Sequence, residues 1–469
     1  MILSCAPLTI PIIGTECFRG CINFEKFVAT RINIILDSCF SGCYNLESFE
    51  ANGISRIGNG AFLNCYKLIS INASNIYQLG NSVFSNCFAL KSFNSIINTT
   101  LSYNTFSSCS SLVRFSAISV PEISNECFKN CKNLVSVLCQ NITLLGNSAF
   151  YGCLRLADID TFNVKILGNL PFERCLSLKN FNSSFITEIP QNLFKDCVGM
   201  IEVNSSCVTN IGSNAFKGCT SLKSINLPML TSISDSSFSG CTSLITFTST
   251  TLIEIGPNAF DNCHHMETFN VPSWTMNIIY DGTFRNCYNL IHIPDTSSVN
   301  TVGKESFMNC RSLESFNTNN LVTVQDRTFK GCTNLKISNT NIIKTIGYES
   351  FMLCSSITTF NFHSCTNLGE SSFESCNISG TLTMNNTFSS IPHNSFRNNK
   401  ISELYLRRCH IENGAFSDNN ELKTLFLDTI SLRDRAFFNS TNIKSIYLNG
   451  VNFFYENSLD LIHACVNYN

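Results

Sequence analysis

The sequence predicts a repeat solenoid of about twenty units, in which each unit adds one coil to a single continuous array. Three observations support this fold class. A Phe-x-x-Cys element recurs at a fixed interval, apolar residues keep fixed positions within each interval, and 44% of the 469 residues are apolar. A chain of this length otherwise suggests about two or three globular domains, but a repeat takes precedence over that expectation.

The Phe-x-x-Cys element sets the period of the repeat. Its first twelve copies are spaced by 22 residues and the next five by 22 to 24 residues. Eleven identical intervals exclude a chance origin, and each unit must therefore stack on its neighbours. Three degenerate copies follow, with Asn or Ser in place of Cys. The Phe positions are Phe18, Phe40, Phe62, Phe84, Phe106, Phe128, Phe150, Phe172, Phe194, Phe216, Phe238, Phe260, Phe284, Phe307, Phe329, Phe351, Phe373, Phe396, Phe416 and Phe437.

Four further apolar positions recur in each unit. They lie six, nine, fourteen and seventeen residues after the Phe, as in Leu222, Ile225, Leu230 and Ile233. A unit of 22 residues with so few apolar side chains cannot close a core alone. Stacked copies can, because each position then forms an apolar ladder along the array.

The pattern within a unit assigns a conformation to each part. The segment 222–227 alternates apolar and polar residues, which predicts a β-strand. The Gly or Ser eighteen residues after the repeated Phe, such as Gly212 after Phe194, marks a turn. The stretch from there through Ala-Phe-x-x-Cys is short and carries Asn or Ser near its start, which favours one helical or 3₁₀ turn. The predicted architecture is therefore parallel β ladders joined by short helical or 3₁₀ turns.

The unit resembles the BspA-like leucine-rich repeat, which reads roughly I-G-x-x-A-F-x-x-C-x-x-L-x-x-I. The segment from Gly212 to Cys219 shows the match, and the likeness extends from about Ile10 to Leu448. The Ala-Phe-x-x-Cys element separates this class from other leucine-rich repeats, although the regular units here are one residue shorter than is common in the family. The resemblance implies a leucine-rich-repeat solenoid and a surface protein of a bacterium or a parasitic protist that binds host proteins in adhesion.

The regularity of the repeats divides the chain into two parts, which are predicted to form one continuous solenoid. Residues 1–395 are regular repeats, and residues 396–469 are degenerate repeats with a C-terminal cap. In the second part the last two intervals shrink to 20 and 21 residues, and Arg and Lys become more frequent. A solenoid needs terminal units that cover its apolar cross-section, and residues 457–469 are predicted to complete that end.

The N-terminus begins inside a repeat, because Met1 falls mid-unit and no polar cap precedes Phe18. Three explanations stay open: a truncated sequence, end-to-end self-association or cover by a partner, and fraying of the first unit. The apolar start resembles a signal peptide but lacks its basic region, and Ile10, Ile13 and Gly14 fit the repeat register.

Composition limits the partners and leaves the compartment open. No stretch reaches the roughly 18–20 apolar residues of a membrane span, and a formal net charge of -2 does not favour nucleic acid or an anionic membrane. The resemblance implies a cell-surface or secreted protein. The absence of an evident signal peptide or anchor favours a cytoplasmic one.

Seventeen of the 26 cysteines hold the repeat position and are interpreted as small buried apolar residues. Adjacent members of such a ladder lie near disulfide distance. A bridge uses two cysteines, however, and one cysteine per unit is not a disulfide design. No C-x-x-C pair and no zinc-ligand spacing occurs.

Sequence motifs of catalysis are missing. There is no G-x-S-x-G, P-loop, H-E-x-x-H or G-x-G-x-x-G pattern. The pair His264 and His265 has no third ligand nearby in the sequence. The sequence predicts no enzyme and no catalytic, cofactor-binding or metal-binding residues.

The outward positions of the predicted strand lie eight and ten residues after the Phe and are mostly Ser, Thr and Asn. They form either a solvated polar ladder or, where charges interrupt it, a binding surface of the kind that solenoids use for protein partners. We therefore predict a non-enzymatic protein-binding solenoid, either a surface adhesin whose partner is a host protein or an intracellular scaffold. The candidate binding face consists of Arg114, Asp158, Asp160, Asn180, Asn182, Glu202 and Asn204.

Overall fold

A computed structural model of the chain describes residues 11–29, 31–272, 274–337, 339–384, 388–428 and 431–449. It is a parallel β-solenoid of about 20 coils, which confirms the predicted fold class. Two compact units make up the chain, Met1–Ile233 (unit 1) and Ser234–Asn469 (unit 2). The predicted C-terminal cap at 457–469 and the uncapped start before residue 11 lie outside the described residues. The division at residue 395, the explanations of the N-terminus and end-to-end self-association stay predictions.

Unit 1 contains two parallel ladders of short strands. The first ladder uses residues from about eight positions after each Phe, and the second uses residues sixteen and seventeen positions after it. Paired residues are 22 positions apart, as Phe181 and Val203 are, so the register equals the sequence period. The strands are β1 (Ile12–Ile13), β2 (Lys26–Ala29), β3 (Ile34–Ile35), β4 (Ser48–Ala51), β5 (Arg56–Ile57), β6 (Ser70–Ile71), β7 (Gln78–Leu79), β8 (Ser92–Asn94), β9 (Arg114–Ser119), β10 (Glu122–Ile123), β11 (Ser136–Gln140), β12 (Leu144–Leu145), β13 (Asp158–Ile159), β14 (Ile166–Leu167), β15 (Asn180–Asn182), β16 (Glu188–Ile189), β17 (Glu202–Asn204), β18 (Asn210–Ile211), β19 (Ser224–Asn226) and β20 (Ser232–Ile233).

Unit 2 repeats this arrangement and ends in longer strands. Lys400–Arg407 is the longest of its described strands, at 8 residues, and pairs in parallel with the strands before and after it. The strands are β21 (Thr246–Thr248), β22 (Glu254–Ile255), β23 (Thr268–Asn270), β24 (Ile278–Ile279), β25 (Thr301–Val302), β26 (Ser315–Phe316), β27 (Thr323–Val324), β28 (Lys336–Ile337), β29 (Thr345–Ile346), β30 (Asn367–Leu368), β31 (Ser379–Met384), β32 (Ser390–Ile391), β33 (Lys400–Arg407), β34 (His410–Ile411), β35 (Thr424–Asp428), β36 (Ser431–Leu432) and β37 (Ser445–Leu448).

The repeated Phe forms the centre of the core. Phe150 is fully buried, and its ring stacks between those of Phe128 and Phe172, with centroid distances of 5.3 and 5.6 Å. Rings at the position nine residues later pack edge-on against this stack, as Phe181 does against Phe194 at 5.0 Å. Each unit thus buries its aromatic ring only because a neighbouring coil covers it.

The segment around each repeated Phe differs from the prediction, because it forms turns instead of a helical or 3₁₀ turn. Gly60 and Asn64 flank Phe62 with φ angles of 58° and 62°. Left-handed residues of this kind do not fit a right-handed helix. The backbone also bonds outward, since the amide of Phe40 donates to the carbonyl of Ala61 in the next coil at 2.7 Å. The Asn and Ser residues of this segment are therefore turn residues.

Close approach of adjacent coils explains the Gly that follows the second ladder. A Cβ atom on Gly58 would lie 2.7 Å from the backbone nitrogen of Asp37 in the preceding coil. The Asp37 carboxylate accepts a hydrogen bond from the amide of Asn59 at 2.8 Å, which fixes the two coils at this distance. Glycine at position 58 therefore lets these two coils approach this closely.

The cysteine ladder is a hydrogen-bonding ladder as well as a set of small buried side chains. The thiol of Cys153, fully buried, donates to the carbonyl of Phe128 in the preceding coil at 3.0 Å. In the degenerate units the side chains of Asn419 and Ser440 donate to the Phe carbonyl of the preceding coil at 2.8 and 3.0 Å. The prediction that this position is only small and apolar was therefore incomplete, because Cys, Asn and Ser each donate a hydrogen bond to the same carbonyl.

Candidate binding face and pocket

The first part of the candidate face lies on three strands that are neighbours in the first ladder of unit 1, β9, β11 and β13. Arg114 of β9 is in register with Ser136 of β11, and Ser136 is in register with Asp158 of β13. Arg114 and Asp158 are exposed, whereas the next residue, Phe115, is fully buried. Because side chains alternate across a strand and neighbouring strands lie about 4.8 Å apart, Arg114 and Asp158 share one face roughly 10 Å apart.

The second part lies on β15 and β17. Asn180 pairs with Glu202 and Asn182 pairs with Asn204, on either side of the buried Phe181. The side-chain amide nitrogen of Asn204 donates a hydrogen bond to the side-chain amide oxygen of Asn182 at 3.2 Å. Asn204 is half-buried and the other three are exposed. The strand pairing therefore places four of the predicted residues together.

Asp160 belongs to a turn that separates these two parts. It follows β13, and its carboxylate accepts a hydrogen bond from the amide of Phe162 at 3.0 Å. The next residue, Thr161, uses its hydroxyl to donate to the carbonyl of Asn182 at 3.0 Å and to accept from the amide of Asn182 at 3.3 Å. The hydroxyl replaces direct backbone pairing between the two coils. The seven predicted residues therefore occupy two ladder segments joined through Thr161.

Only one of the four charged side chains of this face, Asp160, has a hydrogen-bond partner among the described residues. Among the described residues, Arg114, Asp158 and Glu202 make no side-chain ion pair or hydrogen bond. At equivalent positions near the start of unit 1, Lys26 and Glu50 form an ion pair at 2.8 Å. Pairing across this face is thus geometrically allowed, and the middle of unit 1 leaves its charges available to a partner.

One buried thiol near this face stays protonated at neutral pH. Cys139 lies directly after Leu138 on β11 and is buried. Burial, and to a lesser extent the negative charge of Asp160, raises the pKa of Cys139 to about 12. Because the thiolate is the reactive form of cysteine, this residue does not supply a nucleophile to the face. Within the described ranges, no three or more His, Cys, Asp or Glu residues are grouped to hold a metal ion.

A shallow pocket of about 280 Å³ adjoins the second part of the face. It includes two predicted residues, Asn182 and Asn204, and extends to residues that the sequence analysis did not select. Phe162 could have indicated the pocket from the sequence. It is an aromatic residue twelve positions after the repeated Phe150, where solvent-facing residues are expected, and its ring is 55% accessible. The lining residues are Phe162, Asn182, Ser183, Ser184, Asn204, Ser205, Ser206, Asn226 and Pro228.

The parallel ladders, the buried Leu and Phe positions and the exposed strand face together define a leucine-rich-repeat solenoid. A family model for the BspA type leucine rich repeat region matches residues 5–113, 99–223, 209–336 and 344–461. The chain therefore belongs to the BspA-type leucine-rich-repeat family, as its Ala-Phe-x-x-Cys element predicted. Solenoids of this family are generally non-enzymatic, and membership indicates a role in protein interaction.

Several of the solved structures with similar coils come from bacteria. A leucine-rich repeat protein from Bacteroides ovatus is 19% identical, with a TM-score of 0.41 over 87% of this chain and 89% of that one. The pneumococcal vaccine antigen PcpA is 15% identical, with a TM-score of 0.36 over 80% and 86%. A leucine rich cell surface protein from Faecalibacterium prausnitzii is 18% identical, with a TM-score of 0.34 over 80% and 83%. A comparison with curated proteins found no significant match. Within the described part of the chain, no helix has the length and apolar character needed to span a membrane.

Proposed function

We propose that this chain is a non-enzymatic adhesin, displayed at the cell surface or secreted, that binds a host protein through the candidate face of unit 1. The observation that carries the proposal is the set of exposed charges on one strand face that have no partner within the described residues. Arg114 and Asp158 lie in register on one ladder segment and Glu202 lies on the next one, so a partner meets them on paired strands and does not have to order loops. Family membership supports protein binding.

A binding assay with charge-reversal variants tests the face. The full chain is immobilised and exposed to a panel of purified extracellular-matrix and host-surface proteins, with binding followed by surface plasmon resonance. Against any protein that binds, Glu202→Lys should weaken affinity about tenfold or more, because reversal of a contact charge costs several kcal/mol. Lys217→Glu is the matched control, since Lys217 is exposed on the turn segment away from the strand face. Equal losses for both variants would contradict the assignment of the face.

The free thiols favour an intracellular scaffold as a second candidate. From Cys43 to Cys219 the ladder thiols of unit 1 are free and buried, and unpaired cysteines are typical of reducing compartments. Labelling intact cells with a membrane-impermeant biotin reagent separates the two candidates. Labelled full-length chain supports the adhesin, and protection until lysis supports the scaffold.

A further inference from the structure

The pocket beside the candidate face has an unusual lining for a contact between proteins. Asn182, Asn204 and Asn226 form one row across it, four Ser residues stand behind them, and no charged side chain contributes. Phe162 and Pro228 are its two apolar residues. Anchor pockets at protein interfaces have apolar, desolvated centres, and this pocket instead offers neutral donors and acceptors with one exposed aromatic ring.

The asparagine row retains most of its hydrogen-bonding capacity. Each amide provides two donor hydrogens and an oxygen acceptor, and the bond from Asn204 to Asn182 is the one side-chain hydrogen bond that joins members of the row. The side-chain amide nitrogen of Asn182, the side-chain amide oxygen of Asn204 and the whole side-chain amide of Asn226 have no other partner among the described residues. Donors and acceptors therefore alternate along the row at the spacing of the coils.

The buried hydroxyl of Ser205 distinguishes its coil from the preceding one. Ser205 lines the pocket, is only 5% exposed, and its hydroxyl has no hydrogen-bond partner among the described residues. The equivalent hydroxyl one coil earlier, in Ser183, donates to the carbonyl of Val164 at 2.7 Å. The Ser205 hydroxyl is closed off from solvent, so the groups that a ligand in the pocket can reach are the Asn side chains and the ring of Phe162.

We propose that this pocket binds a neutral saccharide. Sugar hydroxyls both donate and accept, which matches the alternating amides of Asn182, Asn204 and Asn226. The C–H face of a pyranose packs on an exposed aromatic ring, and Phe162 provides one at the edge of the pocket. The volume of about 280 Å³ accommodates one to two sugar rings. The absence of charged lining residues selects against sialylated or sulfated sugars and against phosphate.

This saccharide site goes beyond the proposed protein-binding function and does not depend on it. Asn182 and Asn204 belong to the candidate face, but the charges that carry the protein-binding proposal, Arg114, Asp158 and Glu202, do not line the pocket. Glu202→Lys therefore reports on protein binding, and variants of Phe162 report on saccharide binding. Either proposal can fail while the other holds.

Saturation-transfer-difference NMR on the full chain tests the proposal, with the methyl glycosides of glucose, galactose, mannose and N-acetylglucosamine as probes. We expect transfer to the C–H protons of at least one glycoside, and none to sialic acid. Phe162→Ala and Asn204→Ala should each weaken binding about tenfold or more, the loss expected from roughly one interaction of 1.4 kcal/mol. Phe185→Ala and Asn94→Ala are matched controls, an exposed ring and an exposed ladder asparagine that do not line the pocket.

Three results would overturn the proposal. The first is no transfer to any neutral glycoside from a chain whose circular dichroism shows an intact fold. The second is transfer that persists unchanged in both Phe162→Ala and Asn204→Ala. The third is a peptide from a random library that binds the pocket and that the glycosides fail to displace. Because Phe162 is exposed, loss of binding in its alanine variant is not a consequence of misfolding.

Discussion

Replacing Phe150 with alanine should lower the free energy of unfolding by about 4–5 kcal/mol. The ring is fully buried and stacks on Phe128 and Phe172 at 5.3 and 5.6 Å. Truncating a buried Phe to Ala costs about 3–5 kcal/mol through lost burial and the remaining cavity. Two stacked ring pairs contribute about 0.5–1.5 kcal/mol each beyond burial, which places this position in the upper part of that range.

Urea denaturation followed by circular dichroism measures the loss, and hydrogen exchange with mass spectrometry locates it. Exchange should accelerate in the coils of Phe128 and Phe172 as well, because stability in a solenoid is shared between neighbouring repeats. Phe162→Ala is the control and should stay within about 0.5 kcal/mol of the unmodified chain, since that ring is 55% exposed. A loss below about 1 kcal/mol, or faster exchange confined to the altered coil, would refute the reasoning.

Three further predictions follow from the ladders and the charges. Cys153→Ala should be about 1 kcal/mol less stable than Cys153→Ser in urea, because Ser retains a donor for the Phe carbonyl; equal stability would mean that the thiol only fills space. In the native chain a maleimide reagent should modify the exposed Cys207 before the buried Cys153, as peptide mapping would show, and simultaneous modification would contradict their burial. Hydrogen bonds from Arg285 and Lys304 lower the pKa of Glu305 and Asp326 respectively. The two ionised carboxylates therefore stabilise the folded chain above their ordinary pKa values. This stabilisation is lost as the pH falls through the lowered pKa values. The urea concentration at the unfolding midpoint should therefore decrease as the pH falls below about 4. The decrease should be less steep in Arg285→Met. The same pH dependence in both proteins would argue against this assignment.

Much of the fold could be predicted because the period itself determines the pairing. Identical intervals of 22 residues place Phe181 opposite Val203 and Asn182 opposite Asn204 without any knowledge of the turns. The turn conformation could not be predicted in the same way. Asn and Ser suit both the start of a helix and a left-handed turn position, and only the bonds between coils, such as that from Phe40 to Ala61, decide between the two.

The position of the candidate face could be predicted only in part. Alternation within a strand correctly placed Arg114, Asp158 and Glu202 on the outside. The break in the ladder at Thr161 could not be foreseen, because it depends on a hydroxyl taking the place of a backbone pair. The pocket was missed for a related reason: Phe162 lies beyond the end of β13, where strand periodicity no longer states which way a side chain points.

The donor shared by Cys, Asn and Ser gives the coils unequal resistance to oxidants. When a coil opens transiently, an oxidant such as peroxide converts an exposed thiol to sulfenic or sulfinic acid. At Cys153 the added oxygen leaves no thiol to donate to Phe128 and does not fit the closed core. The oxidised coil then closes less readily. Reduction restores the contact after sulfenic acid has formed, but thiols do not reduce sulfinic acid, and that coil stays altered. Coils that donate through Asn419 or Ser440 have no sulfur at this position and close again unchanged.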